Sequence, residues 1–271
     1  MELILHILAG AAVGFAIGLT GVGGGSLMTP LLLLFGYPAP IAIGTDLLYA
    51  AITKAGGAFS HHRAGNVDWH IVRPLAYGSV PTALIVHVLI AQTNFHNSPR
   101  FEQLLTFSLG LMLIITSIVL IIRTKLVGNK LVGKSAQDRP QLMVGFIHRN
   151  RGRLTFLMGI VLGVCVTLSS VGAGAFAAAI LLTIYSRTAA VKIIGSDIAH
   201  AVPLTFIAGL GYLFAGYVDL LLLLSLLIGS LPAIALGSHL SSRVPERSLQ
   251  SLLILFLFSL GLYYTIFNNL H

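Results

Sequence analysis

The chain has 271 residues, 56% of them hydrophobic and 9% charged, with a mean hydropathy of +0.93. A soluble globular domain carries about 25% charged residues, so these proportions exclude a soluble fold and indicate an all-α polytopic membrane protein. The net charge of +8 does not point to nucleic acid. Eight of the 16 Lys and Arg fall between Arg123 and Arg153, opposed there only by Asp138, the pattern of a basic loop lying beside a span against anionic headgroups.

The first residues lack the positive stretch of a signal peptide, so the N-terminus is expected to be retained. Leu3 to Leu19 predicts a helix whose Gly10, Gly14 and Gly18 form a small-residue stripe that admits a close neighbour. The apolar run then breaks at Gly21-Val22-Gly23-Gly24-Gly25-Ser26. Leu27 to Phe35 resumes it for about nine residues, roughly 14 Å of helix, too little for a ~30 Å hydrocarbon core. The spacing predicts a re-entrant hairpin tipped by the glycines, and backbone at that depth must be buried in protein or line a wet cavity. After an uncharged turn at Gly36-Tyr37-Pro38-Ala39-Pro40, Ile41 to Ser60 forms the next helix, with Gly44-Thr45-Asp46 and Lys54 inside it. A polar junction from His61 to Trp69 leads to a span from Ile71 to Ile90 containing Pro81. A loop from Gln92 to Arg100 and a clean span from Phe101 to Ile122 follow.

The pattern recurs. Leu154 to Leu168 precedes a second break, Leu168-Ser169-Ser170-Val171-Gly172-Ala173-Gly174, which lies 149 residues after the first. A short arm from Phe176 to Tyr185 follows. The next helix, about Val191 to Phe214, carries Gly195-Ser196-Asp197. Leu220 to Leu240 contains Pro232, and Leu249 to Phe267 is the last span. Asp46 matches Asp197, Asp68 matches Asp219, and Gly78-Ser79-Val80-Pro81 matches Gly229-Ser230-Leu231-Pro232, all 151 residues apart. The expected organisation is a first membrane repeat over 1–122, a basic cytoplasmic linker over 123–153 and a second repeat over 154–271. With the linker inside, Arg63 and Arg73, Arg187 and Lys192, and Arg243 and Arg247 also fall inside, while the Pro38 turn and the Asp219 loop fall outside. Each half then makes an odd number of crossings whether its short arm crosses or re-enters. The two repeats are therefore inverted, the plan of many secondary transporters.

Paired glycine breaks in corresponding places point to a substrate site. An arm leaving such a break opens with unpartnered N–H groups at the positive end of its dipole, a favourable place for an anion. Gly23, Gly24, Gly25 and Ser26 are the donors expected from the first half, and Gly172 and Gly174 those from the second; the plainer alternative is close packing or a kink. Thr45 and Ser196 add hydroxyls to this site, unless Thr45-Asp46 and Ser196-Asp197 merely cap restarting helices. Ionisable groups inside a membrane segment are costly and usually functional, so Asp46 and Asp197 are candidates for carrying a coupling proton or ion. His200, three residues past Asp197 and on the same face, either passes a proton with it or is a satisfied interior histidine. Lys54 has Thr205 as its counterpart and needs a partner, either Asp46 or a substrate anion. The adjacent His61 and His62 cannot share a helix face, so no metal site is expected there. The lone Cys165 excludes an internal disulfide. With no phosphate-binding GxxxxGK[ST] loop and no hydrolase triad, neither ATP hydrolysis, an enzyme activity nor a cofactor is expected.

Leu19-Thr20-Gly21-Val22-Gly23-Gly24-Gly25-Ser26-Leu27-Met28-Thr29-Pro30 followed by Gly44-Thr45-Asp46 resembles the opening signature of the TauE/SafE sulfite exporter family. Val171-Gly172-Ala173-Gly174 with Gly195-Ser196-Asp197 resembles its degenerate second copy, which has Ala173 and Ala175 where the first has Gly24 and Ser26. The resemblance implies secondary transport of a small sulfur-containing anion (sulfite, sulfoacetate or another organosulfonate) across a prokaryotic inner membrane. A passive anion channel and a membrane-embedded sensor are the competing readings. Membrane lipid and the sulfur anion are the partners implied, and a homodimer is left open.

Overall fold

The computed structural model describes residues 2–20, 27–92, 98–130, 150–186, 188–240 and 246–266, and among these the chain is all helix and connecting turn, with no strand. In chain order the helices are α1 (Glu2–Thr20), α2 (Met28–Leu34), α3 (Ala39–Arg63), α4 (Trp69–Gln92), α5 (Pro99–Lys130), α6 (Arg151–Ser169), α7 (Ala175–Ile184), α8 (Ala190–Phe214), α9 (Leu220–Leu240) and α10 (Glu246–Ile266). Six of them, α1, α4, α5, α6, α8 and α9, are long and apolar enough to cross a membrane. Helix α3 matches α8 at 25 residues, but Asp46, Lys54 and the His61-His62-Arg63 end make it more polar. Apolar side chains such as Phe214, Leu221, Leu252 and Leu255 cover the outside of the bundle, as a lipid-facing surface requires.

The two short arms are present. Helix α2 has seven residues and α7 has ten, about 10 and 15 Å at 1.5 Å per residue, so neither reaches across the hydrocarbon core. Helices α1 and α6, at 19 residues each, are much longer than the arms that follow them. Helix α5 continues eight residues beyond the Ile122 boundary, to Lys130. Within the basic linker, 131–149 lie outside the described residues, as does the first glycine break from Gly21 to Ser26.

Glycines set the packing. A Cβ on Gly10 would stand 2.3 Å from the Leu226 carbonyl oxygen, and one on Gly14 would stand 2.6 Å from Ser230 Cα, so α1 lies directly on the α9 backbone. The same contact recurs between α6 and α4, where a Cβ on Gly159 would stand 2.4 Å from the Leu75 carbonyl and one on Gly163 2.6 Å from the Ser79 carbonyl. In both pairs the contacts advance in the same direction, so the helices run parallel. The residues involved are separated by 149 (Gly10 and Gly159) and 151 (Leu75 and Leu226), so each half lends its first helix to its counterpart's fourth.

Helices α3 and α8 run antiparallel along most of their length: Gly44 faces Tyr212, Leu48 faces Gly209, Gly57 faces Ile198 and His61 faces Gly195. Helices α5 and α10 pack antiparallel through Gly110 and Gly261, again 151 residues apart. Two apolar clusters fill the interior, one centred on Met28, Leu32, Tyr49 and Leu226, the other on Leu47, Leu75, Leu162 and Leu204. Helices α3 and α8 also bury polar residues, among them Thr45, Asp46, Lys54, Ser196, Asp197 and His200.

Candidate functional site

Gly44-Thr45-Asp46 and Gly195-Ser196-Asp197 lie inside unbroken helices that begin at Ala39 and Ala190. The capping alternative is therefore corrected: no helix restarts at either point. The glycines instead let a loop of the other half press onto the helix, since a Cβ on Gly44 would meet the Tyr217 carbonyl at 2.5 Å and one on Gly195 the Asn66 carbonyl at 2.4 Å. The neighbouring hydroxyls hold the same loops. Thr45 Oγ1 accepts the Asp219 backbone N–H at 3.3 Å, and Ser196 Oγ accepts that of Asp68 at 2.8 Å. Ser196 donates its own proton to the Lys192 carbonyl at 2.7 Å. Each hydroxyl thus fastens one half to the start of the other half's α4-type helix.

One residue further on, Asp46 is wholly buried. Its Oδ2 accepts a 2.5 Å hydrogen bond from Thr29 Oγ1 on α2, and the Ser170 hydroxyl of the second glycine break is close by. Among the described residues Asp46 Oδ1 has no partner. Asp197 is likewise buried with Oδ1 unpartnered. The two carboxylates do not meet. In the antiparallel register of α3 and α8, Asp197 lies level with Phe59 of α3, 13 residues from Asp46, which is about 20 Å along the helix axis.

Lys54 stands between them, about 12 Å along α3 from Asp46 and about 8 Å from the level of Asp197. Its ammonium donates to the Ala173 carbonyl at 2.8 Å and is within electrostatic reach of Asp197 and Asp46. Asp46, one of its two expected partners, does not hold it by a hydrogen bond; the backbone of the second glycine break does. That carbonyl turns toward Lys54 because of an unusual stretch of backbone. Ser170 (φ 57°), Gly172 (φ 124°) and Gly174 (φ 142°) all take positive φ, and at the last two values a side chain would be strained. The break thus contributes an acceptor to the cation as well as the start of α7. Gly23, Gly24, Gly25 and Ser26, the other half of the expected cradle, lie outside the described residues.

His200 is buried, with Nε2 2.7 Å from Ser79 Oγ of α4 and Nδ1 unpartnered. Residue 49, its counterpart 151 positions earlier, is Tyr49, whose hydroxyl is buried without a partner beside Ser230, the counterpart of Ser79. Sequence reasoning missed Thr29, Tyr49, Ser79, Ser170 and Ser230. The recurrence of Gly78-Ser79 as Gly229-Ser230 was the one signal that singled out the two serines.

Two cavities lie off this cluster. One of about 400 Å³ is lined by His87, Phe101, Tyr212 and Tyr217, the other, of about 320 Å³, by Ala55, Phe59, His62, Trp69, Ala199 and Pro203. None of the predicted site residues lines either, but Ala55 and Ala199 are the chain neighbours of Lys54 and His200. The second cavity opens on the exposed face of α3, toward the end where that helix finishes.

Comparison with known proteins agrees with this architecture. The family profile described as "Sulfite exporter TauE/SafE" matches residues 6–264. The probable membrane transporter protein YjnA of Bacillus subtilis is 40% identical over 245 residues, 90% of this chain and 92% of its own length. YdhB, a second probable membrane transporter of that organism, is 27% identical over 93% of this chain and 96% of its own. A probable membrane transporter of Methanocaldococcus jannaschii is 36% identical over 84 residues, 31% of each chain. No solved structure matches the chain. The chain belongs to the TauE/SafE sulfite exporter family and is a multi-pass membrane transporter, not an enzyme.

Proposed function

We propose that the protein is a secondary transporter of a small sulfur-containing anion, sulfite or an organosulfonate such as sulfoacetate, moved across the cytoplasmic membrane together with a proton. The observation that carries this reading is the buried Lys54, the one ammonium set between two buried carboxylates and tied to the second glycine break. A cation in that position offers an entering anion a buried ion-pair partner. Lys54 and the glycine-break backbone, Gly172 and Gly174 from one half and Gly23 to Ser26 from the other, make up the anion site. Thr45 and Ser196, engaged with the loops, shape it from behind.

Charge balance supplies the coupling. With Lys54, Asp46 and Asp197 all ionised, the cluster bears one net negative charge, and an anion adds a second in a medium where like charges are poorly screened. A proton taken up by a carboxylate offsets it. The acids stand at different depths, Asp46 toward the start of α3 and Asp197 toward its end, so each serves the mouth on its own side. This suits alternating access between two inverted halves, for which the parallel α1–α9 and α6–α4 pairs and the antiparallel α3–α8 and α5–α10 pairs give support. The basic linker is taken as cytoplasmic, which puts the end of α3 and the cavity beside it in the cytoplasmic half.

The test is uptake into proteoliposomes with sulfite, sulfoacetate and further sulfonates, with and without a pH gradient. Saturable uptake of a sulfur anion, accelerated by an inward proton gradient, is expected. Uptake of a metal cation alone, or of none of the sulfur anions, would overturn the reading.

A further inference from the structure

We propose that His200 is a neutral hydrogen-bond donor to the transported anion, held in its Nδ1–H tautomer by Ser79, and not a carrier of the coupling proton. The inference rests on the transport function proposed above, and its first support is a proton count. A serine hydroxyl inside a helix commonly gives its proton to a carbonyl of the preceding turn. Ser108, Ser117, Ser169, Ser196 and Ser225 do so here at 2.6–2.8 Å. Ser79 has no such bond; the partner of its buried hydroxyl is His200 Nε2 at 2.7 Å. A buried hydroxyl proton requires an acceptor, so Ser79 donates and Nε2 accepts. In a neutral imidazole the other nitrogen then bears the proton. Nδ1–H is thus a buried donor with no acceptor among the described residues.

An orphaned donor beside the site has a ligand-shaped explanation. Asp197, one turn earlier, does not take this proton: its own Oδ1 is unpartnered too. The other half repeats the arrangement. Asp46 Oδ1 and the Tyr49 hydroxyl, which has Ser230 close by, are again a buried acceptor and donor three residues apart with no hydrogen bond to the described residues. The residue types differ while the property retained is a neutral donor, and a tyrosine in this position is no proton shuttle near neutral pH. Lys54 lies within electrostatic reach of the His200 ring. A neutral donor next to the ammonium adds a hydrogen bond to an oxyanion without placing a second cation beside the first.

Two measurements test the assignment. The first is ¹⁵N NMR of the histidine-labelled protein in lipid, with the His200 signals identified by their loss in His200→Asn. A protonated Nδ1 and a bare Nε2, with the Nδ1 signal moving as sulfite is titrated in, are expected. A protonated Nε2, a doubly protonated ring, or no movement at sulfite concentrations that the wild type transports would overturn the proposal. The second is proteoliposome uptake. His200→Leu and Tyr49→Phe should each raise KM by roughly 10- to 100-fold, the cost of losing a hydrogen bond to a charged group. His200→Asn, whose amide occupies the place of Nδ1, should restore most of that loss, and pH-driven accumulation should persist in all three. Loss of that accumulation in His200→Asn would instead make His200 the proton carrier and sink the proposal. A wild type that takes up no sulfur anion would bring down the transport reading. The wrong tautomer brings down this inference even where uptake is robust.

Discussion

The charged residues of the interior are few enough to be weighed singly, and Lys54 is the one without a counterpart. Its matched position in the second half is Thr205, whose hydroxyl turns back to the Ala201 carbonyl at 2.8 Å. The repeat is thus broken where the cation stands. Lys54→Ala is expected to weaken sulfite uptake through KM by roughly 10- to 100-fold, because a charge-assisted hydrogen bond is lost. An unchanged KM in a variant that still elutes as a folded species would remove Lys54 from the site. Asp46→Asn and Asp197→Asn keep shape and hydrogen-bonding capacity while removing the titrating group. Each should abolish accumulation driven by a pH gradient yet leave counterflow exchange measurable; full accumulation in both would end their coupling role. Asp46, Asp197 and Lys54 were legible in the sequence because a charge inside an apolar run has no cheap explanation. Thr29 and Ser79 were not, since Ser and Thr hydroxyls in apolar helices normally bond their own backbone, as Thr53 does with Tyr49 O at 2.9 Å, and Tyr49 was not, since a tyrosine in an apolar run reads as an ordinary core side chain. Only the fold reveals which hydroxyl has turned outward.

At the scale of the helices, the stripe of Gly10, Gly14 and Gly18 was legible as an interface, though its partner was not. The structure gives α1 to α9 and α6 to α4, so that small residues of one half receive the backbone of the other. Helix association in lipid gains little from hydrophobicity and depends on such close contact. Gly159→Val would drive a side chain into the Leu75 carbonyl, which has no room to retreat, and overpacking of this kind costs about 1–3 kcal/mol. A lower midpoint of thermal unfolding in detergent is expected. Gly56→Ala is the control: its Cβ would meet nothing within 4 Å, and exchanging Gly for Ala within a helix favours the folded state by about 0.5–1 kcal/mol. Equal midpoints for the two variants would contradict the packing. The break at Gly172 and Gly174 shows what the glycines of an interrupted span do: their positive φ turns the Ala173 carbonyl toward Lys54.

For the molecule as a whole, inversion makes a prediction that needs no substrate. Ala64 and Ala215 occupy matched positions in the turns that end α3 and α8, 151 residues apart, and both are exposed. In a Cys165→Ser background, Ala64→Cys should react with an impermeant thiol reagent only from the cytoplasmic side, and Ala215→Cys only from the outside. Labelling of both from one side would refute the inverted arrangement.

The amino-acid sequence by itself determined the membrane-embedded helical class, the two short arms, the 151-residue register and the identities of the buried charges. Each of these follows from hydropathy, length and the cost of a charge in hydrocarbon, quantities that a linear chain carries without knowing its neighbours. Tertiary structure alone decided that Asp46 and Asp197 lie about 20 Å apart and that Lys54 stands between them, tied to a backbone carbonyl 119 residues away. It also showed that Thr45 and Ser196 fasten loops of the opposite half. Those facts depend on the antiparallel register of α3 against α8, which is set by where glycines allow one backbone to settle on another. No local pattern encodes that choice, because it is made only when both helices are present.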